Sequence, residues 1–509
     1  MLDFDVIVIG SGAGGMAAGL KIAQSQHSVL VLEAAPNFGG CLSPITEAGY
    51  HFDIGVHYVG QLAKGDSFWA SLDEIGMADR VEFVELQPDA IDRYSFPDFE
   101  LHLCKGKDLF KEQLIQLFPK EERGIHKFFK IYDQVMRAAD SFVDLEMRPL
   151  KMLGWMLRNP SMRKYARVPY QTLLDAVTSD IRLQTALSAS WFDYMLPPDR
   201  ASVFCGLGTW RHYLSGGYYP RGGSVALRDT FVAALQEQGA EMRCSSPVAE
   251  IDRRNGKLQV TSVNGERWIC KAVVSNADPM ITLSELASPR LVPPRVANKA
   301  RRLRPSGSLF GVLAGTDLDL PTLGVTSGNL VHYGIYDINK IFREAMVSES
   351  PDISKCLFIN SPSVKDSDGG LSPKGRHSLQ LLAGADYSSF ERWATMPSRE
   401  RGQEYEAYVR KLGEQIVTTV ERYIPQLSQH LEFVKYITPL SLEARVNLVR
   451  GGLYGPEQTP DQMGLGRFHD GTCGIEGLFL AGAGTKGGGV YFAVISGIQA
   501  GRKVIASLT

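Results

Sequence analysis

Three short segments at the start of the chain follow one another in an order typical of a parallel sheet. Residues 4–9 are an apolar, β-branched run that ends at a glycine, which predicts a buried strand. Residues 16–26 are small and mostly apolar, which favours a helix, and residues 28–33 form a second apolar run. The pattern therefore predicts a strand–turn–helix–strand unit of the βαβ type.

The middle of the chain changes from helical periodicity to strand alternation. Residues 105–240 are predicted to be mainly helical, with amphipathic segments punctuated by prolines. In residues 250–279 two turn pairs, Asn255-Gly256 and Asn264-Gly265, separate alternating segments. This arrangement predicts a three-stranded meander with type I′ turns. Residues 306–440 alternate strand-like runs with a long helix.

Composition places the chain among globular proteins. Its 54 Lys and Arg against 56 Asp and Glu leave a formal charge of −2, which excludes a nucleic-acid binder that works through a basic surface. The seven cysteines form no Cys-x-x-Cys pair, so we expect neither a disulfide framework nor a metal site. The amino terminus lacks the basic segment of a secretory signal, so we expect a cytoplasmic protein.

The turn after the first strand carries a nucleotide-binding fingerprint. In Gly10-x-Gly12-x-x-Gly15 the first glycine permits the tight turn, the second lets backbone approach a diphosphate, and the third lets helix and strand pack closely. Glu33 ends the second strand, where a carboxylate accepts a hydrogen bond from a ribose hydroxyl. The predicted contacts here are Gly10, Gly12, Ala13, Gly14, Gly15, Glu33 and Ala34.

The segment after Glu33 favours FAD over NAD. It is an extended loop with Gly39-Gly40 and then Asp53-Ile54-Gly55, which suits an elongated cofactor that runs through the protein. Here the sequence resembles the large superfamily of FAD-dependent amine oxidases and phytoene desaturases, whose ribose carboxylate, second glycine pair and Asp-x-Gly segment match these positions. The resemblance implies FAD, with Gly39 and Gly40 among its contacts.

The carboxyl terminus strengthens the resemblance. A strand at residues 478–481, a glycine loop at 482–489 and a helix at 490–507 are similar to the closing flavin motif of carotenoid desaturases, carotenoid isomerases and retinol saturases. The helix would direct free N–H groups and its positive dipole end at the flavin ring. Cys473 lies well upstream, so we expect a non-covalent cofactor. The implied contacts are Gly482, Ala483, Gly488, Gly489 and Val490.

We therefore predict an α/β fold with a discontinuous Rossmann-like FAD-binding domain and a substrate domain made of a mixed β-sheet and a helical cap. The FAD-binding domain is assigned residues 1–85, 216–290 and 441–509, and the resemblance to the superfamily implies that Val248 faces the adenine. The substrate domain is assigned a mostly helical region, residues 86–215, and a region of sheet and helices, residues 291–440.

A glycine-rich segment in the middle of the chain is assigned to the substrate. Residues 211–224 are similar to the matching stretch of retinol saturases and, more loosely, to an element of phytoene desaturases. The resemblance predicts that Tyr219, Gly222 and Gly223 line the substrate. A plain helix-capping loop is the alternative interpretation.

The retinol-saturase resemblance implies a long conjugated polyene that exchanges a hydride with flavin N5. Addition of hydrogen also needs a proton donor, for which His57 and Tyr491 are the candidates, while Tyr58 and Tyr454 would line the substrate. Saturation and desaturation both remain open. The alternatives are a redox-neutral carotenoid isomerase, a flavin amine oxidase, and a flavoprotein that binds lipids without turnover.

Residues 147–170 combine basic and apolar side chains without an acidic residue. Such a pattern is typical of peripheral membrane contact, through which a lipid-phase substrate would arrive. A helix packed on the cap with solvated charges explains it equally well. The residues concerned are the basic Arg148, Lys151, Arg158, Arg163, Lys164 and Arg167 and the apolar Met152, Leu153, Trp155, Met156 and Leu157.

Overall fold

A computed structural model of the protein describes residues 3–143, 149–346 and 351–509. The strands of this part of the chain are β1 (Val6–Ile9), β2 (Val29–Leu32), β3 (Ile45–Glu47), β4 (Tyr50–Phe52), β5 (Phe83–Glu85), β6 (Asp92–Ser95), β7 (Glu100–Leu103), β8 (Tyr218–Pro220), β9 (Glu241–Arg243), β10 (Val248–Arg254), β11 (Lys257–Ser262), β12 (Arg267–Cys270), β13 (Ala272–Ser275), β14 (Ser308–Thr316), β15 (Asn329–Tyr333), β16 (Cys356–Asn360), β17 (His377–Ala385), β18 (Leu431–Ile437) and β19 (Leu478–Leu480).

The α-helices of the same described residues cover the sheets and connect them. They are α1 (Ala13–Ala23), α2 (Ser67–Glu74), α3 (Lys107–Leu117), α4 (Glu122–Val143), α5 (Pro149–Arg158), α6 (Pro160–Tyr165), α7 (Tyr170–Val177), α8 (Ile181–Leu187), α9 (Val203–Leu214), α10 (Ser224–Glu237), α11 (Pro279–Ile281), α12 (Pro294–Arg301), α13 (Ile338–Met346), α14 (Pro362–Lys365), α15 (Gly402–Val420), α16 (Pro439–Val446) and α17 (Gly489–Leu508).

A five-stranded parallel sheet forms the first layer system, in the order β19-β13-β1-β2-β9. Successive residues of β1 face opposite layers, since Val6 and Val8 pack in the cluster that includes α1, α10 and α17, whereas Ile7 and Ile9 pack in the cluster that includes the meander β10–β12. The predicted βαβ unit and α/β class are confirmed. All four residues of β1 and of β2 are buried, as their apolar runs require.

The second sheet has seven strands in the order β18-β14-β17-β16-β15-β6-β7. It is mixed, because β15 pairs with β6 in parallel whereas all other neighbouring strands of this sheet are antiparallel. Strands β6 and β7 come from the region predicted to be mostly helical, residues 86–215, which otherwise holds helices α3–α9. The division of the chain into domains at fixed boundaries stays a prediction.

The meander forms at the predicted place, with one turn different from expectation. Asn255 and Gly256 have φ of 49° and 79°, as a type I′ turn requires. In the second turn Gly265 has a φ of 85° but Asn264 is not left-handed, so the type I′ prediction is wrong there. A four-residue link between β11 and β12 replaces the two-residue turn.

The parallel sheet brings the fingerprint loops to one edge. Strands β1, β2, β13 and β19 all end there, so the loops that follow Ile9, Leu32, Ser275 and Leu480 lie side by side. Ligands of open α/β sheets bind outside the carboxyl ends of the strands. The next section therefore begins at this edge.

Candidate functional site: a cofactor and substrate cavity

One cavity of about 1270 Å³ extends from the edge of the parallel sheet to the face of the seven-stranded sheet. It exceeds the range of about 300–1,000 Å³ that is usual for small-molecule sites. The space therefore suits two ligands placed end to end. Its walls include these predicted site residues: Gly10, Gly12, Ala13, Gly14, Glu33, Ala34, Gly39, Gly40, His57, Tyr58, Val248, Tyr454, Gly482, Ala483, Gly488, Gly489, Val490 and Tyr491.

The first wall is a cradle of bare main chain. Gly10 has a φ of +88°, and a Cβ atom on Gly12 would lie 2.6 Å from the Asn276 amide nitrogen. A Cβ on Gly14 would lie 2.7 Å from the Gly482 nitrogen. Gly15 does not line the cavity, and a Cβ there would lie 2.0 Å from the Gly10 carbonyl oxygen. Gly15 thus serves the close packing of helix on strand that its place in the fingerprint predicts.

Glu33 is held at the end of β2 by its neighbours. Its carboxylate accepts hydrogen bonds from the Ser11 backbone N–H at 2.8 Å, the Ser11 hydroxyl at 2.6 Å and the Ala35 N–H at 2.9 Å. The Ser11 hydroxyl oxygen in turn accepts from the Gly39 N–H at 2.9 Å. Ser11, which sequence analysis did not single out, therefore ties the fingerprint turn, the carboxylate and the second glycine pair together.

The closing loop reaches the cavity from the other end of the chain. Helix α17 begins at Gly489, whose φ is +86°. A Cβ atom added to Gly489 would have no other atom within 4 Å, so open space lies beside it. At Gly488 a Cβ would lie 2.4 Å from the Tyr454 Cβ. No acidic residue lies in the first turn of α17, so the free N–H groups and the dipole make this wall electropositive.

The two glycine-rich ends of the chain contact one another directly. A Cβ on Gly497, within α17, would lie 2.1 Å from the Gly14 carbonyl oxygen, so α17 and α1 touch through their backbones. The Gly482 N–H donates to the Ser496 hydroxyl at 2.7 Å, which anchors the loop on α17. Asn276, between the two stretches, has a buried side-chain oxygen without a partner among the described residues.

These walls fit FAD. The glycine cradle and the Asn276 side chain would hold the diphosphate, and Glu33 would accept from the ribose. Val248, on the wall with Ser246 and Pro247, would face the adenine. The start of α17 would face the electron-rich edge of the reduced ring.

The part of the cavity nearest the seven-stranded sheet is aromatic. Tyr58 and Tyr213 stack with ring centroids 4.2 Å apart and planes 9° apart, and Phe192 and Phe358 stack at 5.7 Å and 6°. All four line the cavity with Tyr454. The two stacked pairs give this end of the cavity an apolar, aromatic wall, here called the aromatic slot, against which a flat, conjugated molecule can lie. Tyr213, Phe192 and Phe358 were missed because they come from three separate segments of the chain.

His57 and Tyr491 both line the cavity, and their roles stay predictions. The His57 Nδ1 lies 3.2 Å from the Gln380 amide oxygen. The N–H of the neutral ring donates to that oxygen and is therefore directed away from the substrate space. Burial and the nearby Lys365 cation lower the pKa of His57 to about 3, so it carries no extra proton at neutral pH. Tyr491 lies with its hydroxyl 2.9 Å from the Ser67 hydroxyl.

Tyr219, Gly222 and Gly223, which were predicted to line the substrate, do not lie on the wall of this cavity. The Tyr219 hydroxyl donates to the Asp53 carboxylate, which Gly223 also faces, and the Gly222 N–H donates to Asp366 at 2.6 Å. The segment is thus a support for Asp53. The alternative interpretation, a loop that precedes a helix, agrees with this arrangement, since α10 begins at Ser224.

A second partly buried histidine, His212, gives the free energy of unfolding a measurable pH dependence. The His212 Nε2 accepts from the Gly60 N–H at 2.8 Å, and burial lowers the pKa of His212 to about 3 from 6.5. Between these pH values the unfolded chain binds a proton that the folded one does not. We expect the free energy of unfolding to fall as pH drops through this window, by about 1.4 kcal/mol per pH unit for each such histidine.

Urea unfolding of the holoenzyme at several pH values measures this slope. His212→Gln, which keeps an acceptor for Gly60, should reduce it by about one histidine's share. His126→Gln on α4 is the control, since that ring is half exposed beside Glu122. An unchanged slope in His212→Gln would show that the ring takes up its proton in the folded protein.

A glycine cradle at the carboxyl edge of a parallel sheet, a helix terminus aimed at a ring-sized space and an adjoining aromatic slot define a FAD-dependent oxidoreductase. The chain belongs to the family of flavin containing amine oxidoreductases, whose model matches residues 13–505.

Several relatives, at 26–28% identity, carry names that describe reactions on retinoids or carotenoids. The chain is 27% identical to the inactive all-trans-retinol 13,14-reductase of Danio rerio, over 86% of this chain and 75% of that one. It is 28% identical to the all-trans-retinol 13,14-reductase of Homo sapiens, over 91% and 78%. It is 26% identical to the chloroplastic prolycopene isomerase of Arabidopsis thaliana, over 99% and 83%.

A solved structure supports the fold. Cyclohexylamine oxidase from Brevibacterium oxydans IH-35A superposes with a TM-score of 0.65 at 14% identity, and the match covers 99% of both chains. At this identity the likeness concerns the fold alone.

Proposed function

We propose that this FAD-dependent oxidoreductase acts on a carbon–carbon double bond of a hydrophobic conjugated polyene of retinoid or carotenoid type. The observation that carries the proposal is the aromatic slot, Tyr58, Tyr213, Phe192 and Phe358, which shares one cavity with the glycine cradle. A polyene chain is flat and apolar, and stacked rings bind such a chain and exclude water. The retinol reductase and prolycopene isomerase relatives support the same substrate class.

The residues of the slot would act by orientation. The bound cofactor, when reduced, supplies a hydride, and the transfer requires a carbon held against the ring face. Leu309 and Leu382 of the seven-stranded sheet line the cavity beside the aromatic rings and would set the depth of the substrate. The sheet is rigid, so the distance between chain and ring would vary little.

An anaerobic reaction tests the proposal. Reduced holoenzyme is mixed with all-trans-retinol, and flavin absorbance and product mass are followed. We expect the oxidised flavin spectrum to return while the polyene gains two hydrogen atoms. A product of unchanged mass would favour the isomerase, and bleaching of oxidised flavin by amines would favour an amine oxidase. A flat spectrum with every polyene and amine would indicate a flavoprotein that binds lipids without turnover.

We also propose that the cavity is loaded from a membrane surface at α5. Leu153, Met156 and Leu157 of this helix are 56%, 39% and 62% exposed. Contrary to expectation, Trp155 is not part of that surface, because it is 8% exposed and packs on Ala138 of α4. Met147 and Arg148, also assigned to the contact, lie outside the described residues.

The buried side of α5 packs close to the cavity wall. Phe204 of α9 packs against the cluster that contains Trp155, and Phe204 itself lines the cavity. Met136 and Ala139 of α4 line the same stretch. An apolar molecule that leaves a bilayer beneath α5 would thus meet this wall first. Among the described residues no helix is long and apolar enough to cross a membrane, and a cytoplasmic, peripheral location stays part of the proposal.

Charge reversal tests the membrane contact. Arg158, Arg163 and Lys164 are exposed beside the apolar face. A basic residue near an anionic surface contributes about 1 kcal/mol, so replacing all three by Glu should weaken sedimentation with phosphatidylserine vesicles at least tenfold. The control reverses Arg295, Arg301 and Arg302 at α12, which are also exposed. Equal binding of the two triple variants would remove α5 from the proposal.

A further inference from the structure

A buried carboxyl group, Asp92, and a partly buried one, Asp193, share one hydroxyl at the wall of the aromatic slot. The Tyr58 hydroxyl lies 2.9 Å from an oxygen of Asp92 and 3.3 Å from each oxygen of Asp193. Asp92 begins β6 and is 1% exposed, whereas Asp193 follows Phe192 and lines the cavity. Two carboxylates so close to one hydroxyl cannot both remain charged without cost, so the pair retains a proton.

Hydrogen-bond geometry decides which carboxyl keeps that proton. Asp92 accepts from the Asn329 amide at 2.7 Å, from the Tyr94 hydroxyl at 3.0 Å and from Tyr58. Burial raises the pKa of Asp92, and these hydrogen bonds and the Lys365 cation oppose that rise. Tyr58 has a single proton, and the shorter distance gives it to Asp92. Asp193 is left as the acid, with its O–H free for the Tyr58 oxygen or for the cavity.

The electrostatics agree with this assignment. Burial, and then the negative field of Asp92, hold the pKa of Asp193 well above its usual range. Paired carboxyls in unequal environments are a common arrangement for an acid beside an anion. By contrast, His57 is held neutral with its N–H directed at Gln380, so it is a poor proton donor.

We propose, on the basis of the proposed polyene chemistry, that Asp193 is the general acid of this site and that Tyr58 and Asp92 are its positioning residues. One alkene carbon would receive a hydride from the reduced cofactor, which would thereby lose two electrons. The Asp193 O–H bond breaks, its proton forms the C–H bond at the neighbouring carbon, and the electron pair stays on the carboxylate. Solvent returns the proton to Asp193 after product leaves.

Infrared spectroscopy tests the proton without turnover. The oxidised holoenzyme should show the carbonyl band of a dry, protonated carboxyl group, shifted by exchange into deuterium oxide. Asp193→Asn should lose this band and keep its flavin, whereas Asp175→Asn, a control at an exposed carboxylate outside the cavity, should keep both. Wild-type protein without such a band, or Asp193→Asn with the band intact, overturns the assignment even if variants fold poorly.

Single-turnover kinetics test the catalytic role. With pre-reduced flavin and retinol, Asp193→Asn should be slower by about 100-fold or more, the usual share of a general acid, while Asp193→Glu recovers part of the rate. Asp193→Asn with full flavin content and a rate within about threefold of wild type would overturn the role. If wild type reduces no polyene yet shows the band, the proposed substrate has failed while the protonated carboxyl stands.

Discussion

Replacing Gly12 by valine is expected to yield a folded protein that does not retain FAD. The new side chain begins 2.6 Å from the Asn276 amide nitrogen and fills the wall on which the diphosphate would lie. Overpacking of this kind costs about 1–3 kcal/mol, and the lost phosphate contacts add to it. We therefore expect the affinity for FAD to fall at least about 100-fold.

The ratio of flavin to protein absorbance after gel filtration measures this loss, and a titration with free FAD gives the affinity. Gly154→Ala is the matched control, since Gly154 lies within α5 and its nearest neighbour to a Cβ is 3.8 Å away. The control should keep its flavin. A yellow Gly12→Val protein with full flavin content would place the diphosphate elsewhere. Release of free flavin on denaturing wild type would check the expected non-covalent attachment.

Replacing Asp53 by alanine is expected to lower the free energy of unfolding by about 3 kcal/mol or more. The buried carboxylate accepts from the Ser224 N–H at 2.9 Å, from the Ser224 hydroxyl and from the Tyr219 hydroxyl. Removal leaves two buried donors, the Ser224 N–H and the Tyr219 hydroxyl, without a partner, each at about 1–3 kcal/mol, whereas the Ser224 hydroxyl can still donate to the Leu42 carbonyl oxygen. The Gln380 amide still donates to the Asp53 carbonyl oxygen, so the loss belongs to the side chain.

Urea denaturation with saturating FAD measures the difference. Asp229→Ala on α10 is the control, because its carboxylate is exposed and pairs only with the adjacent Arg228 among the described residues. Such surface changes shift stability by less than about 0.5 kcal/mol. Equal midpoints for the two variants would contradict the supporting role given to Asp53.

Elements that depend on short-range rules could be predicted. The strand Val6–Ile9, the glycine turn after it and the position of Glu33 are each determined by residues close together in the sequence. The strand, the helix and the glycine cradle could therefore be predicted directly. The same holds for Asn255-Gly256, where both left-handed residues are adjacent. Asn276 could also have been found, since it directly follows a buried strand of the parallel sheet.

Elements that depend on distant partners could not. Tyr219 looked like a substrate contact because nothing near it in sequence reveals Asp53, which lies 166 positions away. Trp155 looked like a membrane anchor until α4 supplied Ala138 for it to pack against. Asp193 interrupts an apolar run, which was a usable signal, but its partner Asp92 lies in β6, far from it in the sequence.

The amino-acid sequence was sufficient to determine that this protein holds a dinucleotide against backbone atoms. The glycine positions of the turn and the apolar periodicity of the strands depend only on residues close together in the sequence. The tertiary structure alone decided which side chains line the rest of the cavity, across from the glycine cradle. The slot around Tyr58 and Phe358 and the pairing of two acids across one hydroxyl arise where β6, β16 and α9 meet. Burial at this junction sets their charge states, and burial is a property of the folded chain.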